Sequence, residues 1–202
     1  MTTLARGLGR YFSSAALDAL RAARVGIIGA GGLGSNVAML LARSGIRRMT
    51  IADPDIVDAS NLNRQAYFPD DVGRPKVQAL ARALLTLEPA MRLAVHELAV
   101  TTANARTLFE DCPLIVEAVD RAETKAELYA LFAPEKELYV TASGMAGFGG
   151  CMVSRRPRPN VAAVGDFASA VDRCRPPLAP RVMQAAAMQA DAVLEHILSP
   201  LT

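Results

Sequence analysis

Lysine is scarce in this 202-residue chain. Of its 22 basic residues only Lys76, Lys125 and Lys136 are lysines, so a lysine inside a motif is easy to single out. Cysteine is scarce too. Cys112, Cys151 and Cys174 are widely spaced and form no Cys-x-x-Cys pair, which excludes a locally built zinc knuckle or redox pair and suits a reducing, cytoplasmic setting. The net charge is only +2, with no basic block or stripe, so the electrostatic footprint expected of a nucleic-acid binder is missing. No apolar run approaches the roughly 18 residues that cross a bilayer, and no membrane partner is expected. An internal repeat is also absent. No Gly-x-x-x-x-Gly-Lys-Ser/Thr run occurs, which argues against a P-loop kinase or GTPase.

What is present reads as one domain, long enough to bury about 70 % of its unfolded surface. Residues 1–24 are arginine-bearing and hold no acid before Asp18. That loosely resembles a transit peptide, but Tyr11, Phe12, Ala15, Ala16 and Leu20 also give an apolar stripe of helical period, a helix packed on the domain. Residues 24–28 (RVGII) read as a buried strand, 35–44 as a helix stopped by Gly45, and 47–53 as a second strand. Residues 54–72 show no period and read as a long functional loop with a short helical turn. A helix over 75–87 begins at a proline. Strands over 92–100, 114–119, 137–143 and 151–154 alternate with helices over 103–109 and 122–132. Residues 157–180 read as a mobile, proline-rich connection, and 178–198 as an alanine-rich helix. Strands alternating with helices of this length define an α/β fold, Rossmann-like, with a mostly parallel sheet and helices on both faces.

Gly29-Ala30-Gly31-Gly32-Leu33-Gly34 stands between the first strand and its helix. In Gly29-x-Gly31-x-x-Gly34 the first glycine permits a tight turn and the second lets backbone approach a phosphate. The third lets helix pack on strand. The phosphate would rest on the helix N-terminus, where free N–H groups and the helix dipole attract anions. Asp53 ends the next strand, the usual place for an acid that takes ribose hydroxyls. These features fit NAD and ATP equally.

The following segment separates the two. Hydride transfer leaves the phosphates untouched and needs no cation there, yet Arg64 offers a planar fork for phosphate oxygens. Lys76 sits in a helix's first turn, where the dipole disfavours a cation by about 0.3–1 kcal/mol. A residue breaking a local rule beside a cleft is a functional candidate. The bland alternatives are a salt bridge from Arg64 to Asp55 or Asp58, and a solvated surface lysine. Asp120 closes the strand over 114–119, on the rim where open parallel sheets gather ligands. It reads either as a carboxylate for Mg²⁺ or as the N-cap of the next helix.

Taken together, Gly29–Ser35 (GAGGLGS), Asp53-x-Asp55-x-Val57-x-x-Ser60-Asn61-Leu62-Asn63-Arg64-Gln65, Gly73-x-Pro75-Lys76 and Asp120 resemble the ubiquitin-activating-enzyme-like adenylyltransferases, the ThiF/MoeB/HesA superfamily. Residues 143–149 (SGMAGFG), Gly165-Asp166 and Ala179-Pro180-Arg181-Val182 bring the chain nearest to that family's short ThiF-type members. The resemblance runs from about Arg24 to Leu198, and its Ser-Asn-Leu-Asn-Arg-Gln string is highly specific. It implies a single adenylyltransferase domain over 1–202. An N-terminal arm would span 1–23, a nucleotide-binding core 24–156, and a connection with its terminal helix 157–202. It also implies attack of the Gly-Gly carboxylate of a sulfur carrier such as ThiS, in thiamine biosynthesis, on the α-phosphate of ATP.

The resemblance places nucleotide contacts at Gly29, Gly31, Gly32, Leu33 and Gly34. It places further ones at Asp53, Asp55, Ser60, Asn61, Asn63, Arg64, Gln65, Lys76 and Asp120. Asp53 would bind ribose, Asn61 and Arg64 would contact phosphates, Lys76 would span them, and Asp120 would bind Mg²⁺. Arg64, Lys76 and Asp120 would carry catalysis. A homodimer is implied, in which Arg6 or Arg10 could reach the partner's ATP. Longer relatives hold zinc on two Cys-x-x-Cys pairs, so no zinc is expected here. Arg121 replaces the asparagine that often follows the metal-binding acid. Cys174 is the one cysteine in a mobile segment and the candidate for sulfur transfer, whereas Cys112 and Cys151 read as core or strand positions. Ala185, Ala186, Ala187 and Met188 could face a second copy or the chain's own core. Other readings are the same chemistry on a molybdopterin-type carrier, a peptide or a tRNA; a NAD-dependent dehydrogenase; and a non-catalytic carrier-binding subunit.

Overall fold

The computed structural model describes residues 2–201. Five of its strands follow the apolar runs read from the sequence: β1 (Arg24–Ile28), β2 (Arg48–Ala52), β3 (Arg92–His96), β4 (Leu114–Glu117) and β5 (Leu138–Ala142). With β6 (Val153–Arg158) and β7 (Val161–Gly165) they form one sheet in the order β3-β2-β1-β4-β5-β7-β6. All pairs are parallel except β6 with β7. Such a sheet must be covered on both faces, and two buried clusters do so. The larger joins β1, β2 and β4 to α3 (Gly32–Arg43), α4 (Lys76–Leu87) and α7 (Ala179–Leu198). The other packs Ile28, Ile115 and Tyr139 against α5 (Ala105–Leu108) and α6 (Ala122–Phe132), with Phe109 and Phe132 in edge-to-face contact.

Residues 2–23 form two short helices, α1 (Thr3–Leu8) and α2 (Ser14–Ala22). Thr2 and Ser13 cap them, and Leu17 and Leu20 are buried. The chain reverses after α3 at Gly45, whose φ of 106° belongs to the left-handed region that glycine enters without strain. No helix among the described residues is long and apolar enough to cross a membrane.

The C-terminal third departs from expectation. Residues 157–180 are not all connection: β7 lies within them, every residue buried, between β5 and β6. Its signal was the apolar run VAAVG between Asn160 and Asp166, which the surrounding prolines and polar residues obscured. The strand placed at 151–154 is β6, starting at Val153 and reaching Arg158, wholly exposed at the sheet's edge. Cys151 precedes it and is exposed rather than part of the core or a strand. Ala185 and Ala186 are fully buried within the chain, where α7 lies along α3, while Ala187 is exposed. The small-residue face is therefore used inside the chain.

Amide exchange separates the two descriptions of residues 157–180. Ala162 to Val164 should exchange slowly while Ala168 to Arg175 exchange quickly, and Val164→Ala should cost about 2 kcal/mol in urea unfolding. A mobile connection would show neither.

Candidate functional site

The strand order reverses direction between β1 and β4, the switch point at which open α/β sheets bind ligands. The glycine turn leaves β1 there. Gly29 has φ 97°, and a Cβ on it would meet the Ala118 carbonyl oxygen at 2.8 Å. A Cβ on Gly34 would fall on the Gly29 carbonyl oxygen. Only a hydrogen fits, so α3 starts hard against the strand it leaves. A Cβ on Gly31 would meet only the Gln65 Nε2, at 4.0 Å, which leaves room for a ligand to approach the backbone. Gly31 caps α3 without any side-chain hydrogen bond. The N–H groups of Gly32, Leu33 and Gly34, which have no intrahelical acceptor, form the anion cradle.

Three buried side chains hold the polar loop on this cradle. Ser35 donates to the Gly31 carbonyl at 2.6 Å and accepts the Ala66 N–H at 3.0 Å. Asn36 donates to the Gly32 carbonyl at 2.6 Å and to the Arg64 carbonyl at 2.9 Å. The Tyr67 hydroxyl donates to the Ala30 carbonyl at 2.7 Å and lies 3.3 Å from the Lys76 carbonyl. Burial pushes the Tyr67 hydroxyl above the ordinary phenol range, so it remains a donor.

The expected site residues take distinct places. Asp53 is buried, its Oδ2 accepting the Ala30 N–H at 2.6 Å and its Oδ1 the Asp55 N–H at 2.8 Å. Each oxygen keeps a second lone pair for a hydroxyl donor. Asp58 and Asn61 cap the first 3₁₀ turn of the loop, with Ser60 N–H bonded to Asp58. Arg64 makes no carboxylate pair among the described residues, neither with Asp55 nor with Asp58. Its stem lies against Gly32, and its Nη1 donates to the Ser60 carbonyl and the Asn63 Oδ1 at 3.0 and 2.7 Å. Asn63 also ties the loop to the Pro177 carbonyl. Gln65 is buried with its Oε1 unpartnered among the described residues.

Lys76 is no surface lysine. It is 6 % exposed as the first residue of α4, and its Nζ donates to Asp55 Oδ2 at 2.6 Å. Asp120 is exposed on the rim two residues past Ala118, and no hydrogen bond or ion pair of its side chain is found among the described residues. It is not a helix cap either, because Arg121 holds the N-cap position of α6 and makes no side-chain bond there. Arg6 and Arg10 are both exposed.

Residue-by-residue reading missed Ser35, Asn36 and Tyr67, and it missed Arg181. Arg181 is buried in the first turn of α7, ion-paired with Asp166 and bonded to the Gly149 carbonyl. The rule that exposed Lys76, a cation at a helix N-terminus, applies equally to it. Together with Gly147, Phe148, Cys151, Cys174 and Arg175 it lines a cavity of about 380 Å³. Cys174 is exposed, as expected of that segment, while burial pushes the Cys112 thiol up.

A cradle of free amides at the switch point of a mostly parallel sheet, flanked by a cation and two acids, defines a Rossmann-like nucleotide-binding protein. Residues 4–200 match the ThiF family, and the chain belongs to it. It is 35 % identical over 109 residues to the sulfur carrier protein adenylyltransferase of Thermus thermophilus, covering 54 % of this chain and 40 % of that one. It is 33 % identical over 132 residues to the sulfur carrier protein ThiS adenylyltransferase of Escherichia coli, covering 65 % and 52 %. It is also 33 % identical over 143 residues to the tRNA threonylcarbamoyladenosine dehydratase of Escherichia coli, covering 70 % and 53 %. The structure of that dehydratase in complex with ATP superposes with a TM-score of 0.85 at 23 % identity, over 97 % of this chain and 94 % of that one. The chain thus spans about half the length, or less, of these curated relatives.

Desolvation raises Asp166, but donors from Ser169 and Ala168 and the charge of Arg181 outweigh it and hold the carboxyl at about 2, below its ordinary 3.8. A depressed carboxylate stabilises the fold above its unfolded value and loses that contribution as pH falls through the folded one. Acid unfolding should therefore show a component between pH 4 and 2 that Asp166→Asn removes, the variant also being less stable at pH 7. An unchanged acid profile would refute the clamp.

Proposed function

We infer that this chain adenylates a terminal carboxylate, with ATP as the second substrate. The observation that carries the reading is the convergence of the amide cradle, Arg64 and buried Lys76 at one switch point with Asp120 on the same rim, neither Arg64 nor Asp120 having an ion-pair partner among the described residues. A dehydrogenase has no use for these cations. A carboxylate oxygen attacks the α-phosphorus, the bond from that phosphorus to the bridging oxygen breaks, and pyrophosphate leaves. Two anions must meet, so the protein's contribution is positioning and charge neutralisation.

In this reading the Gly31–Gly34 amides and Arg64 hold phosphate oxygens, Asp53 accepts from the ribose, and the Gln65 Nε2 lies beside Gly31 at the same cradle. Lys76 exchanges Asp55 for phosphate. The exposed Asp120 carboxylate, which has no hydrogen bond or ion pair among the described residues, suits Mg²⁺ bound through one carboxylate and the nucleotide's own oxygens, with Asp120 as the protein ligand. The metal, when bound, would neutralise charge on the phosphates.

The acceptor we propose is a Gly-Gly-ended sulfur carrier of the ThiS kind, used in thiamine biosynthesis. The two adenylyltransferase relatives and the short-form motifs around residues 143–149 and 179–182 support it. A homodimer and a cytoplasmic setting belong to the same proposal; three free cysteines suit the latter. A second acceptor class, a carboxylate on tRNA, is favoured by two observations. The likeness to the tRNA dehydratase extends over nearly both full chains, and β6 carries exposed Arg155, Arg156 and Arg158. The sequence showed no long basic block, and all three of these arginines are engaged, Arg156 with Glu195, Arg155 over the Phe167 ring and Arg158 over the Tyr129 ring.

ATP–pyrophosphate exchange tests the reading. It should appear with ThiS and not with tRNA, and Arg64→Ala or Lys76→Ala should lower it about 10²–10³-fold, some 3–4 kcal/mol. Exchange with neither acceptor, or undiminished in both variants, would overturn it; exchange with tRNA alone would transfer the same chemistry to the second acceptor.

A further inference from the structure

Asp120 makes no side-chain hydrogen bond or ion pair among the described residues, yet its place on the rim is fixed. The residue three positions earlier explains how. Glu117 ends β4 and is completely buried, an expensive position for a carboxylate unless it is paired and bonded. Strand alternation puts it on the face covered by α6, beside Ile115 rather than Val116. Its Oε1 accepts the Val119 N–H at 2.7 Å and the Lys125 Nζ at 2.8 Å. Its Oε2 accepts the same Nζ at 2.9 Å and the Thr141 hydroxyl at 2.6 Å. From the opposite face Gln189, buried in α7, donates to the Glu117 carbonyl at 3.0 Å. The Ala118 N–H meanwhile bonds the Ile28 carbonyl at 2.8 Å.

The turn that presents Asp120 is therefore held by β1, β5, α6 and α7, and one carboxylate joins two of these elements, β5 and α6, to the turn's own Val119 N–H. None of them uses Asp120. A buried ion pair of this kind adds little net stability compared with apolar packing, so stability alone is a weak account of it. Lys125, one of only three lysines, is committed to it and is the sole cation paired with Glu117 among the described residues.

We propose that Glu117, clamped by Lys125 and Thr141, is the positioning residue for Asp120: it bends the strand end at Val119 so that the Asp120 carboxylate faces the nucleotide. This rests on the metal-binding role given to Asp120 above. Outer partners that orient a metal-binding group typically change metal affinity 10–100-fold when removed.

The test is calorimetric titration of ATP into the intact chain, with Mg²⁺ and with chelator, which needs no turnover. The quantity read is the ratio of the two affinities. Glu117→Gln should lower that ratio about tenfold or more while leaving metal-free ATP binding unchanged. Asp120→Asn should lower the ratio at least as far, and the double variant should lower it no further than Asp120→Asn alone, since both act through one contact. Thr141→Val, which removes a single bond and leaves the ion pair, should lower the ratio in the same direction by a smaller factor, and it serves if Glu117→Gln does not fold. Equal losses with and without Mg²⁺, or additive losses in the double variant, would show a merely structural residue. A ratio lost in Asp120→Asn but kept in Glu117→Gln and Thr141→Val would overturn the positioning role alone. A wild-type ratio near one, or one that Asp120→Asn leaves intact, would overturn Asp120 as the metal ligand and this inference with it.

Discussion

The site depends on one close approach, the contact of the Gly34 backbone with the carbonyl of Gly29. Because nothing larger than hydrogen fits between them, α3 begins almost on top of β1, and its first-turn amides point across the switch point. Each further fastening uses that placement. Ser35 and Asn36 can reach the loop over 60–66 because their helix starts so close to it. Tyr67 can bridge the Ala30 carbonyl to the start of α4 because the turn is tight. A side chain at position 34 would move the whole assembly, so the cradle, the arginine loop and the buried lysine form one constraint.

Much of this was legible beforehand, for identifiable reasons. β1, the glycine turn and Gly45 declare themselves through apolar runs bounded by residues with special backbone freedom. Lys76 and Arg64 were readable because a cation at a helix start, or one crowded among polar loop residues, breaks an ordinary preference. The motif string from Asp53 to Gln65 carried the family, and the structure confirms the fold that followed from it. β7 was not legible, since an interior strand of five small apolar residues, with Pro157 and Pro159 before it and a polar stretch after it, resembles a linker in any local window. Tyr67 and Glu117 were hidden for another reason. Their roles are contacts between segments far apart in sequence, and no spacing rule reports where a hydroxyl or carboxylate will end up. Asp120 could be nominated from its strand end, but its freedom from partners is a fact of three dimensions.

Two of the helices around the site begin with a buried cation, Lys76 in α4 and Arg181 in α7. Both positions oppose the helix dipole, and in each a carboxylate on the same rim compensates, Asp55 for the lysine and Asp166 for the arginine. The compensation differs in kind. Asp55 is largely exposed and leaves its lysine exchangeable, whereas Asp166 is locked by backbone donors and its arginine is a fixture. In the proposed reading the first cation is the one that meets phosphate, while the other holds the glycine-rich segment over 147–150 against the end of β7.

The outer strand β6 has one further consequence. Its free edge carries unpaired backbone groups along six exposed residues, the kind of border on which a second sheet can grow. Here Arg155, Arg156 and Arg158 crowd that border with like charge, Pro157 removes one donor, and the register slips between Arg155 and Arg158. A flat, continuous template is never offered. The same border that leaves the sheet open to a partner thus guards the chain against self-association into fibrous aggregates.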